Sequence, residues 1–149
     1  MMKIIYILNG PNLNLLGTRQ PDLYGKISLD DIRQNCHLLA TEFGYKQDFR
    51  QTNHEGMLID WVQEAAQKAS GILINAGGLT HTSVSLLDAL LTVTIPVIEV
   101  HLTIPCQRES FRHQSFVTPA AHGIVAGFGP NSYTLALRAL VEKIEKQRA

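Results

Sequence analysis

Apolar residues fall into two kinds of stretch that alternate from one end of the chain to the other. Five short runs, at 3–8, 45–51, 71–75, 96–100 and 123–126, read as β-strands. Ile4-Ile-Tyr-Ile-Leu8 and Val97-Ile-Glu-Val100 are nearly unbroken in β-favouring residues, as expected of strands covered on both faces. Between the runs, apolar positions recur at helical spacing. Ser28-Leu-Asp-Asp31 reads as a helix start, with Ser28 as N-cap and acids in the first turn, and the helix over 32–43 ends at Gly44. A second helix covers 55–69, with Ser70-Gly71 as its C-cap. A third covers 82–93 and stops before Pro96, and a fourth covers 130–147.

Strands that alternate with helices imply right-handed βαβ crossovers and a parallel sheet. The expected fold is a three-layer α/β/α domain spanning 1–149, with a five-stranded parallel sheet in flavodoxin-like order. No linker, repeat or low-complexity stretch divides the chain. In such sheets ligands bind beyond the carboxyl ends of the strands, so the segment after each strand carries the functional information. Those segments are Asn9-Gly-Pro-Asn-Leu-Asn14, Thr52-Asn-His-Glu55, Asn75-Ala-Gly-Gly-Leu-Thr-His-Thr82 and His101-Leu-Thr103. Asn, His and Arg gather along one edge, and that edge is the expected site.

Composition narrows the classes. At 149 residues the chain is long enough for one domain with a real core. Charged residues are 17% of it, and thirteen Lys and Arg balance thirteen Asp and Glu. A surface this poor in charge favours a homo-oligomer, in which sister subunits cover part of it. Zero net charge removes the electrostatic footprint of a general nucleic-acid or membrane-surface binder. The run at 3–8 is too short for a signal peptide, no apolar run reaches a membrane span, and Cys36 and Cys106 are isolated. The expected location is the cytoplasm.

Several chemistries lack their residues. There is no Walker loop and no G-x-G-x-x-G after the first strand, and Asn75 stands where a receiver domain would carry Asp. Of six Lys, only Lys26 lies near a candidate loop, which leaves a Schiff base little support. No H-x-x-x-H, H-E-x-x-H or Cys/His cluster appears, so a catalytic metal is not expected.

What remains is acid–base chemistry. Glu99 lies two residues before His101 and so on the same strand face. A carboxylate beside an imidazole orients it and suits it to general acid work, while a buried structural pair is the alternative. Arg19-Gln-Pro-Asp-Leu-Tyr-Gly25 is a polar loop able to close over the site, or else a solvated loop with an incidental Tyr. For Tyr24 to act as a base near neutrality takes about 4 kcal/mol of differential stabilisation, which an Arg19 partner in a dry site would supply. Gly77-Gly78 before Thr80-His-Thr82 reads as an anion or hydroxyl site at a helix N-terminus, or simply as a capped helix. Arg108 and Arg112 share a face if their segment is helical, as a carboxylate clamp or a surface pair. Asp88, set in Leu86-Leu-Asp-Ala-Leu-Leu91, either faces water or reaches across a subunit boundary.

Together these residues resemble the type II 3-dehydroquinate dehydratases over nearly the whole chain. The resemblance rests on Leu8-Asn-Gly-Pro-Asn-Leu-Asn-Leu-Leu-Gly-Thr-Arg19, Tyr24-Gly25, Gln51-Thr-Asn-His-Glu-Gly56, Asn75, Thr80-His-Thr-Ser83, Asp88-Ala-Leu90, Ile95-Pro-Val-Ile-Glu-Val-His101 and Phe111-Arg-His113. It implies the trans-dehydration of 3-dehydroquinate to 3-dehydroshikimate through an enolate, without a cofactor, in the shikimate pathway. It further implies that Tyr24 is the base, that Arg19 lowers its pKa, and that Asn12 holds a water against the enolate oxygen. The resemblance also implies that His101, oriented by Glu99, protonates the leaving hydroxyl, that Asn75, His81 and Arg112 bind substrate hydroxyls, that the main-chain amides of Leu102 and Thr103 hold the carboxylate, and that Asp88 comes from a neighbouring subunit. The implied assembly is a dodecamer built from trimers.

The family usually has an aromatic near Leu79 and an Arg or Ile-like residue near Leu87, and one segment departs from its pattern more notably. Thr103-Ile-Pro-Cys-Gln107 stands where a Ser-Asn-Ile/Val-His-Ala run is usual. Pro105 biases Ile104 toward extended backbone and fixes the turn, and loss of the polar side chain at 104 is expected to act on substrate binding rather than on turnover. Two rival readings are a catalytically impaired homologue binding a small anionic ligand, and a nucleotide or flavin binder suggested by fold alone.

Overall fold

The computed structural model describes residues 3–18, 22 and 26–148. Within them run β1 (Ile4–Asn9), α1 (Leu29–Glu42), β2 (Lys46–Gln51), α2 (Glu55–Lys68), β3 (Gly71–Asn75), α3 (Val84–Leu91), β4 (Val97–His101), β5 (Gly123–Ala126) and α4 (Asn131–Arg148). The strands form one parallel sheet in the order β2-β1-β3-β4-β5, the flavodoxin-like order expected.

The period of two along each strand decides what covers each face. Ile5, Ile7, Leu73, Ile98 and Val100 pack under α1 and α4. Tyr6, Leu8, Ile72, Ile74 and Val97 pack under α2 and α3. Each such side chain contributes about 1.5–3 kcal/mol when fully buried, so β1, β3 and β4 are held from both sides. Their carboxyl ends form a rigid crest. Among the described residues no helix is long and apolar enough to cross a membrane.

Local chemistry explains where helices begin. At α1, Ser28 Oγ accepts the Asp31 N–H at 3.1 Å while the Asp31 carboxylate accepts the Ser28 N–H at 3.0 Å, a reciprocal cap. The third helix is shorter than the 82–93 expected. A 3₁₀ turn at Gly77–His81 precedes it, and Ser83 Oγ accepts the Leu86 N–H at 2.9 Å, so the α-helix starts only at Val84. Gly71 is not a C-cap: α2 ends at Lys68, Ala69 is already extended, and Gly71 opens β3. Arg108 and Arg112 do not share a helix. Their segment is two 3₁₀ turns, Pro105–Gln107 and Ser110–Arg112.

Candidate active site

Loops leaving β1, β3 and β4 enclose a cleft of about 190 Å³. The first two loops lie against each other because residue 10 is glycine. Its N–H donates to the Asn75 carbonyl at 2.8 Å, and a Cβ there would stand 2.3 Å from the Ala76 oxygen. Asn12 lies beyond it in the left-handed region, φ 70°, which Asn tolerates better than most residues. Its N–H donates to Asn53 Oδ1 at 2.9 Å, and Gln51 Nε2 donates to the same oxygen at 3.1 Å. The end of β2 thus pins the loop after β1.

Of the residues singled out in the sequence, Asn12, Asn75, His81, His101, Leu102, Thr103, Arg108 and Arg112 line this cleft together, with Gly77 and Gly78. Asn75 and His101 end adjacent strands whose side chains there point to opposite faces of the sheet, and they meet only at its crest. Asn75 is 4% exposed, donates through Nδ2 to the Tyr133 hydroxyl at 2.9 Å and accepts the Gly77 N–H at 3.2 Å. His81 is oriented by a 2.8 Å hydrogen bond from Nδ1 to the Gln114 carbonyl, which leaves Nε2 as its second polar atom. Arg112 is braced by Glu109 at 3.2 Å. The Leu102 and Thr103 amides donate to no acceptor among the described residues.

Glu99 stands behind His101, 1% exposed, with Oε2 2.5 Å from His101 Nε2. Ser115 Oγ donates to Oε2 at 2.9 Å and Thr118 Oγ1 to Oε1 at 2.6 Å. Burial alone would push this carboxyl's pKa up. The hydrogen bonds from His101, Thr118 and Ser115, with the pull of the imidazole, outweigh burial and hold it below its ordinary value. A buried carboxylate kept ionised next to an imidazole is a support for proton transfer. With Nε2 on Glu99, His101 Nδ1 is the nitrogen left for a ligand.

Other expectations fall elsewhere. Asp88 is exposed on α3 and does not line this chain's own cleft. Arg19 and Tyr24 lie outside the described residues. The N-terminus of α3 is closed by its Ser83 cap, and Gly77 and Gly78 reach the cleft through the 3₁₀ turn instead. Ile104 is extended as Pro105 demands, φ −98° and ψ 106°, but its side chain packs on Gly127, outside the cleft lining. Pro105 lines the cleft in its place.

Sequence reasoning passed over Ser115, Thr118 and Tyr133, and placed Asn53 only within the loop after β2. The first two sit in irregular chain between β4 and β5, where no periodicity marks them; only the density of hydroxyls after Phe111-Arg-His113 hints at a role.

The dehydroquinase class II family model matches residues 2–141. The chain is 57% identical over 139 residues to a 3-dehydroquinate dehydratase of Caulobacter vibrioides, covering 93% of this chain and 95% of that one. It is 50% identical over 145 residues to 3-dehydroquinate dehydratase 2 of Pseudomonas aeruginosa, covering 97% and 98%. The crystal structure of a type II dehydroquinase from Butyrivibrio crossotus superposes with a TM-score of 0.90 at 37% identity, over 93% of this chain and 97% of that one.

Proposed function

The chain belongs to the dehydroquinase class II family, and from that premise we propose that it dehydrates 3-dehydroquinate to 3-dehydroshikimate in the shikimate pathway. It is a hydro-lyase. One proton and one hydroxide leave the substrate as water, so the reaction is redox-neutral and needs no electron carrier. A base removes the proton alpha to the ketone, an enolate forms, and the hydroxyl departs as it is protonated.

The observation that carries the reading is the buried Glu99–His101 pair, 2.5 Å apart at the head of the cleft. His101 is the general acid for the leaving hydroxyl, and ionised Glu99 supports its positive charge. Tyr24 as phenolate is the base, with Arg19 stabilising it. Asn12 holds the water that meets the enolate oxygen. The amides of Leu102 and Thr103 take the carboxylate, which suits two adjacent main-chain donors without acceptors of their own among the described residues. Asn75, His81 and Arg112 bind the remaining hydroxyls.

The working particle is a cytoplasmic dodecamer built from trimers. Asp88, exposed on α3, completes a neighbouring subunit's cleft. Incubation with 3-dehydroquinate, with the ultraviolet absorbance of the conjugated enone as readout, tests the activity. Steady growth of that absorbance is expected. Binding of the substrate without turnover would favour an impaired homologue instead.

A further inference from the structure

Tyr133, in the first turn of α4, is wholly buried, yet its hydroxyl reaches the ends of two strands. It donates to Asn9 Oδ1 at 2.6 Å and accepts from Asn75 Nδ2 at 2.9 Å. Asn9 Nδ2 in turn donates to the Arg50 carbonyl at 3.0 Å. We propose that Tyr133 and Asn9 are positioning residues that fix which end of the Asn75 side-chain amide faces the cleft. This rests on the reading of Asn75 as a substrate-binding residue.

The direction of the chain of hydrogen bonds is set at both ends. A carbonyl oxygen only accepts, so Arg50 requires the NH₂ end of Asn9, and Asn9 Oδ1 must then face Tyr133. That oxygen takes the phenol's single proton. Tyr133 can therefore only accept from its other neighbour, and Asn75 must turn its NH₂ group inward. At the far end the Gly77 N–H, which only donates, requires Asn75 Oδ1, the same orientation. Reversing Asn75 would set oxygen against oxygen at Tyr133 and N–H against N–H at Gly77. Asn75 is thus held as a hydrogen-bond donor with its second Nδ2 hydrogen left over. A substrate hydroxyl or carbonyl oxygen accepts that hydrogen.

The prediction is a split between binding and turnover. Tyr133→Phe removes one of the two partners that enforce the orientation while keeping the ring in place. We expect KM for 3-dehydroquinate to rise about three- to tenfold, the range of one neutral hydrogen bond, with kcat within about twofold. Asn75→Ala should raise KM at least as much, and adding Tyr133→Phe to it should raise KM no further. A merely structural Tyr133 would lower Tm and leave KM at the parent value, which overturns the proposal. Should Tyr133→Phe not fold, Asn9→Ala breaks the same chain without touching the ring, and an unchanged KM there overturns the proposal equally. If Asn75→Ala leaves KM unchanged, the substrate-binding reading of Asn75 falls and takes this inference with it. If Asn75→Ala raises KM and Tyr133→Phe does not, only the positioning role is lost.

Discussion

Replacing Glu99 with Gln isolates the charge of the buried carboxylate from its shape. Glu99 receives hydrogen bonds from Ser115 and Thr118 and lies 2.5 Å from His101 Nε2. Gln keeps the volume and one acceptor oxygen, and the Thr118 hydroxyl can turn to accept from the new NH₂ group. The protein should therefore fold. What disappears is the charge-assisted part of the contact with His101. Hydrogen bonds to charged groups are worth about 1.5–3 kcal/mol and neutral ones about 0.5–1.5, a difference of about 1–1.5 kcal/mol. At 1.36 kcal/mol per decade, kcat should fall roughly tenfold. KM should stay within about twofold, since Glu99 is 1% exposed and does not line the cleft. Steady-state rates read from product absorbance check both numbers. Stability gives a second test. The folded carboxyl sits below its ordinary pKa, so its ionised form stabilises the fold at pH values above about 4.5, and that contribution is lost as pH falls through the lower folded value. The Tm gap between the parent and Glu99→Gln should be full at neutral pH and close on acidification. A kcat unchanged within twofold, or a gap that widens in acid, would refute the reasoning.

Asn53→Ala releases the Asn12 N–H from its 2.9 Å acceptor and should lower kcat/KM about three- to tenfold, with little change in Tm because Asn53 is exposed; unaltered kinetics would remove Asn53 from the site. Gly127→Ala sets a Cβ 2.5 Å from Ile104 Cγ1 at φ +94°, so it should destabilise by about 1–3 kcal/mol in thermal melts, with partial recovery in the double variant carrying Ile104→Ala. An unshifted Tm would contradict the strain. Light scattering should find a particle far larger than a monomer, and Asp88→Ala should weaken assembly or substrate binding by more than the roughly 0.5 kcal/mol of an ordinary surface change. A stable, fully active monomer would contradict that.

The layers and most of the cleft were legible because both rest on regular periods. The strand runs announced the sheet, and a parallel sheet puts functional residues at carboxyl ends, which pointed to Asn75, Glu99 and His101 from the order of residues alone. Irregular backbone was not legible in the same way. Apolar spacing extends the third helix to 82–93, but a side-chain oxygen on Ser83 outweighs spacing and delays its start to Val84. Gly71 resembled a helix stop by residue type alone, yet it opens β3. Ser115 and Thr118 reach Glu99 from chain with no period, so their partnership is a fact of tertiary structure. Tyr133 falls in the helix read over 130–147, and nothing in that period marks the partners of its oxygen.

That oxygen also bears on how the chain is made. Asn9 precedes by 124 residues the hydroxyl that satisfies it. At about 5–20 residues per second this is a wait of roughly 6–25 s on the ribosome. During it β1 carries a polar end whose partner does not yet exist, beside apolar faces that α4 has not covered. Contacts this distant in sequence form late, because loop closure precedes any reward from packing. The nascent enzyme therefore depends on shielding until α4 emerges. A chain that stops before α4 lacks both that helix's share of the cover over one face of its sheet and the latch that orients its cleft, so the packing and the latch arrive together.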